Sequence, residues 1–158
     1  MKGFILFLIL FPLLALCQNE PAKAITVGYE QLTGDWTEIS SLEGVIFYAK
    51  KADCNHPENG IFQEMALIKV VNTTPYNITV SWDLLQWLDG QLWTRLPVRP
   101  EKKKLIHLEE GNSLEGSCDQ DSDYYSSLTV FCRFLNYNDK PELTKFELSN
   151  IIITPYEK

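Results

Sequence analysis

Three carboxylates alternate in the run Asp119-Gln120-Asp121-Ser122-Asp123. At that spacing Asp119, Asp121 and Asp123 can fold back onto one hard cation, as at the start of a calcium loop. The run then leaves that pattern. Its sixth position is Tyr124 where a sharp turn wants Gly, and its twelfth is Val130 in place of a bidentate Glu. The competing assignment is a solvated acidic turn, so the three remain calcium candidates only. Cys54, His56 and Cys118 pose a similar choice. One Cys-x-His and a distant Cys fall short of the two ligand pairs that zinc sites use, and a Cys54–Cys118 disulfide is the expectation. Both cysteines sit in stretches rich in loop-forming residues. Cys132 instead alternates with Leu128, Val130 and Phe134 on one strand face, which predicts a buried free thiol. Spacing by itself does not determine the pairing.

Trp87 and Trp93 flank the turn Asp89-Gly90, and with Trp82, Tyr124 and Tyr125 they raise carbohydrate recognition through flat aromatic faces. Trp82 falls on the core parity of its strand and Trp87 on the opposite one. Trp87 and Trp93 are therefore expected to pack diagonally across the hairpin. Catalysis finds less support. His56 lies in a loop and His107 in a strand. The run Gly111-Asn112-Ser113-Leu114-Glu115-Gly116 has the wrong spacing for a nucleophile elbow, and no glycine-rich phosphate loop or paired metal histidines occur. No catalytic residue and no cofactor is expected. Lys102-Lys103-Lys104 reads as a soluble strand edge, and Asn72 and Asn77 begin N-glycan acceptor triplets.

The elements that must position these residues are strands. Short β-branched and aromatic runs recur, separated by turn chemistry, and no stretch after the first segment keeps a 3.6 period. Val45, Phe47 and Ala49 face one way. Phe62 to Val71 forms a longer run, and Asn72-Thr73-Thr74-Pro75 makes a turn. Tyr76, Ile78, Val80 and Trp82 then alternate against polar neighbours. Asp89-Gly90 predicts a two-residue hairpin turn. Further runs cover Leu105 to Leu108, Ser127 to Leu135, and Leu143 to Ile153 with a bend near Asn150. Seven or eight such strands suggest one antiparallel β-sandwich of Ig-like architecture, spanning residues 44–158, with a barrel as the alternative. Residues 18–43 lack clear alternation and are expected to pack on its core, Trp36 included.

Fourteen basic and 21 acidic residues give a net charge of −7, a field that disfavours nucleic acid. Lys2 and the apolar run Phe4 to Leu16 have the form of a signal peptide, too short to span a bilayer. Ala15-Leu16-Cys17 places cleavage before Gln18, giving residues 1–17 as the signal. The alternative is a lipoprotein with Cys17 as the lipidated residue, although Leu16 does not suit that site. No later hydrophobic segment is long enough for a transmembrane span.

Several stretches resemble a group of small exported proteins of Bacteroidota-type bacteria. They are Leu16-Cys17-Gln18-Asn19, the run from Asn72 to Asp83, Leu114 to Asp119, and Leu143 to Asn150. The resemblance implies a bacterial exported β-domain and carries over no site residue. The expectation is an exported, non-catalytic β-sandwich acting by contact with an envelope or extracellular protein or glycan. A carbohydrate- or calcium-binding module is the alternative, and a small hydrolase built on His56 or His107 the third.

Overall fold

A computed structural model describes residues 23–93, 103–119, 121 and 124–156. The signal segment with Cys17, together with Lys102 and Asp123, lies outside the described residues. Ten strands are present among them: β1 (Ile25–Gly28), β2 (Thr37–Leu42), β3 (Val45–His56), β4 (Ile61–Asn72), β5 (Ile78–Leu88), β6 (Gln91–Leu92), β7 (Lys104–Leu108), β8 (Ser113–Glu115), β9 (Thr129–Phe134) and β10 (Leu143–Pro155). One helical turn, α1 (Tyr125–Leu128), precedes β9. The strands form two antiparallel sheets packed face to face, an all-β sandwich. In the first sheet β1, β10 and β5 lie in that order, and β5 carries both β6 and β7 on its other side. In the second, β2, β3 and β4 follow in order, and β4 carries β8 and β9. The count exceeds the expected seven or eight partly because β1 and β2 arise from the N-terminal stretch, where alternation is hard to see.

Alternation builds the core. Val45, Phe47 and Ala49 from β3 and Ala66, Ile68 and Val70 from β4 face Ile78, Val80 and Trp82 from β5 across the sandwich. Trp82, Phe47 and Phe146 are its largest fully buried side chains, each worth roughly 2–3 kcal/mol by area removed from water. The Asp89-Gly90 hairpin has positive φ at both residues, 48° and 75°, as its type of turn requires. Glu43-Gly44 closes the β2–β3 hairpin in the same way, with φ of 49° and 76°. The predicted bend in β10 is a register shift between Ser149 and Ile152, where Asn150 takes φ 51° and donates to Asp83 Oδ2 at 2.7 Å.

β4 is buried from Gln63 through Ile68 without alternation, because both of its faces are covered. Its outer face carries a second small cluster of Cys54, Met65 and Leu67, against which Trp36, Ala52, Cys118 and Phe131 pack. Trp36 thus docks on the outside of the sheet rather than in the main core. Lys50 Nζ sits over its ring at 4.6 Å from the centroid.

β9 contains an irregularity that decides where its aromatics go. Arg133 pairs with Glu64 and Phe131 with Met65, which leaves Cys132 as an extra residue. Leu128, Val130 and Cys132 enter the core as the alternation predicts. Phe134 does not follow them. After the bulge it pairs with Gln63 and turns away from the core face, within 4.9 Å of the Phe131 ring centroid.

Candidate functional site: an aromatic cleft at one end of the sandwich

The β5–β6 hairpin and β9 belong to different sheets, and at one end of the sandwich a cleft of about 390 Å³ opens between them. Leu88 and Trp93 form one wall, Phe131 and Phe134 the other. Pro141 and Lys140, from the loop between β9 and β10, complete it beside the Gln86 amide. Trp93 is 64% exposed at the mouth. Its backbone N–H donates to Gln86 O at 2.8 Å, which extends the hairpin pairing by one residue.

The hairpin is strapped in place. Asp89 N–H donates to Glu142 O at 2.8 Å, Glu142 N–H donates to Asp89 Oδ1 at 3.1 Å, and Gly90 N–H donates to Thr144 Oγ1 at 2.8 Å. Asp89 therefore has two tasks: it takes up the left-handed backbone, and it ties the turn to the loop bearing Lys140. Exposed apolar side chains stand at this end as well as farther along β5, where Leu105 and Ile152 flank Ser81. Phe62, Leu92, Leu135 and Tyr137 are each at least one-third exposed, and Tyr137 meets Phe134 edge-on at 5.9 Å.

A charged cluster lies on the inner side of the same β9 residues. Glu64, buried on β4, accepts from Tyr29 Oη at 2.6 Å and pairs with Arg133 Nε at 3.2 Å. Arg133 also reaches Glu142 at 3.9 Å, and Lys51 Nζ lies 5.0 Å from the centre of the Tyr29 ring. Burying a lone carboxylate is costly, and this set of partners is what makes it tolerable. The charge of Glu64 raises the Arg133 pKa. Burial, and then the hydrogen bond to Glu64, push Tyr29 up to about 12. Burial, and then the nearby Glu64 charge, push the Cys132 thiol up to about 12. Cys132 is thus a protonated core residue at neutral pH and a poor nucleophile there. The cluster pins the short helical turn Tyr29–Gln31 to the second sheet.

The residues singled out from the sequence scatter. Trp87 and Trp93 are not brought together. Trp93 lines the cleft, whereas Trp87 pairs with Leu92 on the outer face, where Lys145 Nζ caps its ring at 4.3 Å. The hairpin register sets Trp93 opposite Gln86, one residue along β5 from Trp87, and successive strand residues point to opposite faces. Cys54 and Cys118 form a disulfide with Cα atoms 5.0 Å apart, and Cys132 is free and buried. The bridge consumes both thiolates of the zinc alternative, and His56 Nδ1 instead lies 3.6 Å from Glu58. The Asp119 carboxylate folds onto the backbone: Asp121 N–H donates to its Oδ1 at 3.0 Å, and Asp119 N–H donates to Ser117 Oγ at 3.3 Å. His107, on β7, is 3.0 Å from Thr79 Oγ1 and packs edge-on with Tyr156. The two histidines belong to different sheets. Lys104 donates to Ser126 O.

The Asn72-Thr73-Thr74 triplet has a structural use. Asn72 is buried, with its amide donating to Tyr76 O at 2.8 Å and Glu109 O at 3.0 Å. Its Oδ1 accepts from Thr74 N–H and Oγ1. Among known proteins, no family model, no curated protein and no solved structure matches the chain. The site rests on its own geometry. Sequence reading missed Phe131, Phe134, Lys140 and Pro141, since residues 86–93 and 131–141 meet only when two sheets are stacked.

Proposed function

We propose that this chain is an exported, non-catalytic β-sandwich of Ig-like architecture that acts by contact with a protein or surface of the bacterial cell envelope. One observation carries the reading: Trp93 stands exposed in the cleft, Tyr137 stands exposed against its wall residue Phe134, and the exposed Leu135 and Phe62 are joined next to Phe134. Contiguous exposed apolar groups of this kind mark interaction sites. A disulfide fits an oxidising compartment, and the signal-like segment before Gln18 fits export.

The test places a photo-crosslinking residue at Trp93 or Tyr137 in the full chain, expressed in its native host. A discrete adduct from these positions, absent when the residue is placed at Thr26 on the distal edge strand β1, is the expected result. Equal labelling from all three positions, or none, removes the reading. The intact mass of the protein from the same host tests export. A start at Gln18 with a gain of about two hydrogens on reduction is expected. A start at Cys17 bearing acyl chains would move the protein onto a membrane.

A further inference from the structure

We infer that the cleft between the β5–β6 hairpin and β9 binds a small organic anion with a flat apolar body, its carboxylate held by Lys140. The inference rests on the reading of this end as the contact face and adds the chemistry of what enters it. About 390 Å³ falls in the range of roughly 300–1,000 Å³ common for small-molecule sites. The walls are Leu88, Trp93, Phe131 and Phe134, with Pro141 beside them, so the body of the ligand must be apolar. A neutral sugar would bring several hydroxyls to walls that offer one amide and one ammonium, and would lose hydrogen bonds on entry.

Aromatic walls by themselves would favour a cation. Lys140 reverses that preference, because among the described residues it is the one charged group in the lining. It pairs with its chain neighbour Asp139 at 3.9 Å, and both side chains are about half or more exposed. A pair of that kind is screened and easily exchanged for a better-placed carboxylate. The net charge of −7 does not cancel the effect inside the cleft, since distant surface charges are screened over about 8 Å in physiological salt.

The test titrates the full chain with three ligands of one shape: 2-naphthoate, 2-naphthalenemethanol and 2-naphthylmethylamine. Heat and Trp fluorescence are read together. Naphthoate is expected to bind about tenfold more tightly than the alcohol, with the amine weakest. Lys140→Gln should bring naphthoate down to the affinity of the alcohol and leave the alcohol unchanged. Phe134→Ala should weaken both. Lack of saturable naphthoate binding, an amine that binds as well as the acid, or indifference to Lys140→Gln would each overturn the inference. A protein that ignores naphthoate but still forms the Trp93 crosslink loses this inference and keeps the contact reading. One that binds naphthoate but forms no crosslink does the reverse.

Discussion

Gly116 has no room for a side chain. An added Cβ would lie 2.1 Å from the carbonyl oxygen of Leu128, so the chain leaving β8 passes directly against the last residue of α1. Backbone cannot yield as a flexible side chain does, and overpacking of this kind costs roughly 1–3 kcal/mol. Gly116→Ala should therefore lower the urea midpoint clearly. Gly34→Ala, where nothing lies within 4 Å, should leave it unchanged or slightly raised. A Gly116→Ala protein as stable as its parent would show that the two segments do not touch. Cys132 and Tyr29 make a second prediction at this scale. Their ordinary values of 9.0 and 10.0 both rise to about 12 in the folded chain. Above the lower values the unfolded chain releases protons that the folded chain keeps, so stability is full below about pH 9 and is lost as the pH rises toward about 12. Urea midpoints taken from about pH 8 to about pH 11 should fall in the parent. They should fall less steeply in Cys132→Ala, which removes the part beginning near 9.0, and in Tyr29→Phe, which removes the part beginning near 10.0. Equal slopes in all three proteins would mean that burial does not hold these protons.

At the scale of elements, the Cys54–Cys118 bridge closes a span of 64 residues that contains β4 to β8. Loop entropy alone puts its contribution at about 4 kcal/mol. The double variant Cys54→Ala, Cys118→Ala should lose stability of that order by urea unfolding. It should also weaken the seat of Trp36, whose cluster includes both sulfurs. A loss under about 1 kcal/mol would mean that the unfolded chain is already compact without the bridge. Strands with one wet face were legible before the structure. Ile78, Val80 and Trp82 alternate because β5 is polar on its outer side, and Asp89-Gly90 announces its turn through residues that tolerate positive φ. β4 was legible as a strand, but its lack of alternation has a cause that no local pattern reveals: Trp36 and the disulfide cover its outer face. β2, with the sequence Thr-Glu-Ile-Ser-Ser-Leu, sits on an edge and is largely solvated, so little apolar signal marks it. The bulge at Cys132 hid the cleft. Simple alternation sends Phe134 inward, and one extra residue sends it out to meet Phe131. Trp93 lines the cleft without the companion expected for it, since parity puts Trp87 on the far side of the hairpin.

For the whole molecule, the sheets predict an order of protection. β4 and β5 are paired on both sides and supply much of the core, and β10 is flanked by β1 and β5. Their central amides should exchange hydrogen only through global unfolding. Outward-facing amides of the edge strands β1 and β2 should exchange at least about tenfold faster. Uniform protection across β2 and β4 in a hydrogen-exchange experiment would show that the sandwich opens as a single unit. The place of β10 has a consequence for how the protein is made. It follows every other strand in chain order, yet it lies between β1 and β5, which it alone joins. The second sheet can begin early, because β2, β3 and β4 form a meander within residues 37–72. The first sheet cannot. A ribosome or a secretion channel releases a chain from its N-terminus, so β1 and β5 wait unbridged until residues 143–155 emerge. Strand order alone therefore delays completion of the first sheet until β10 is available, however early its other strands are made.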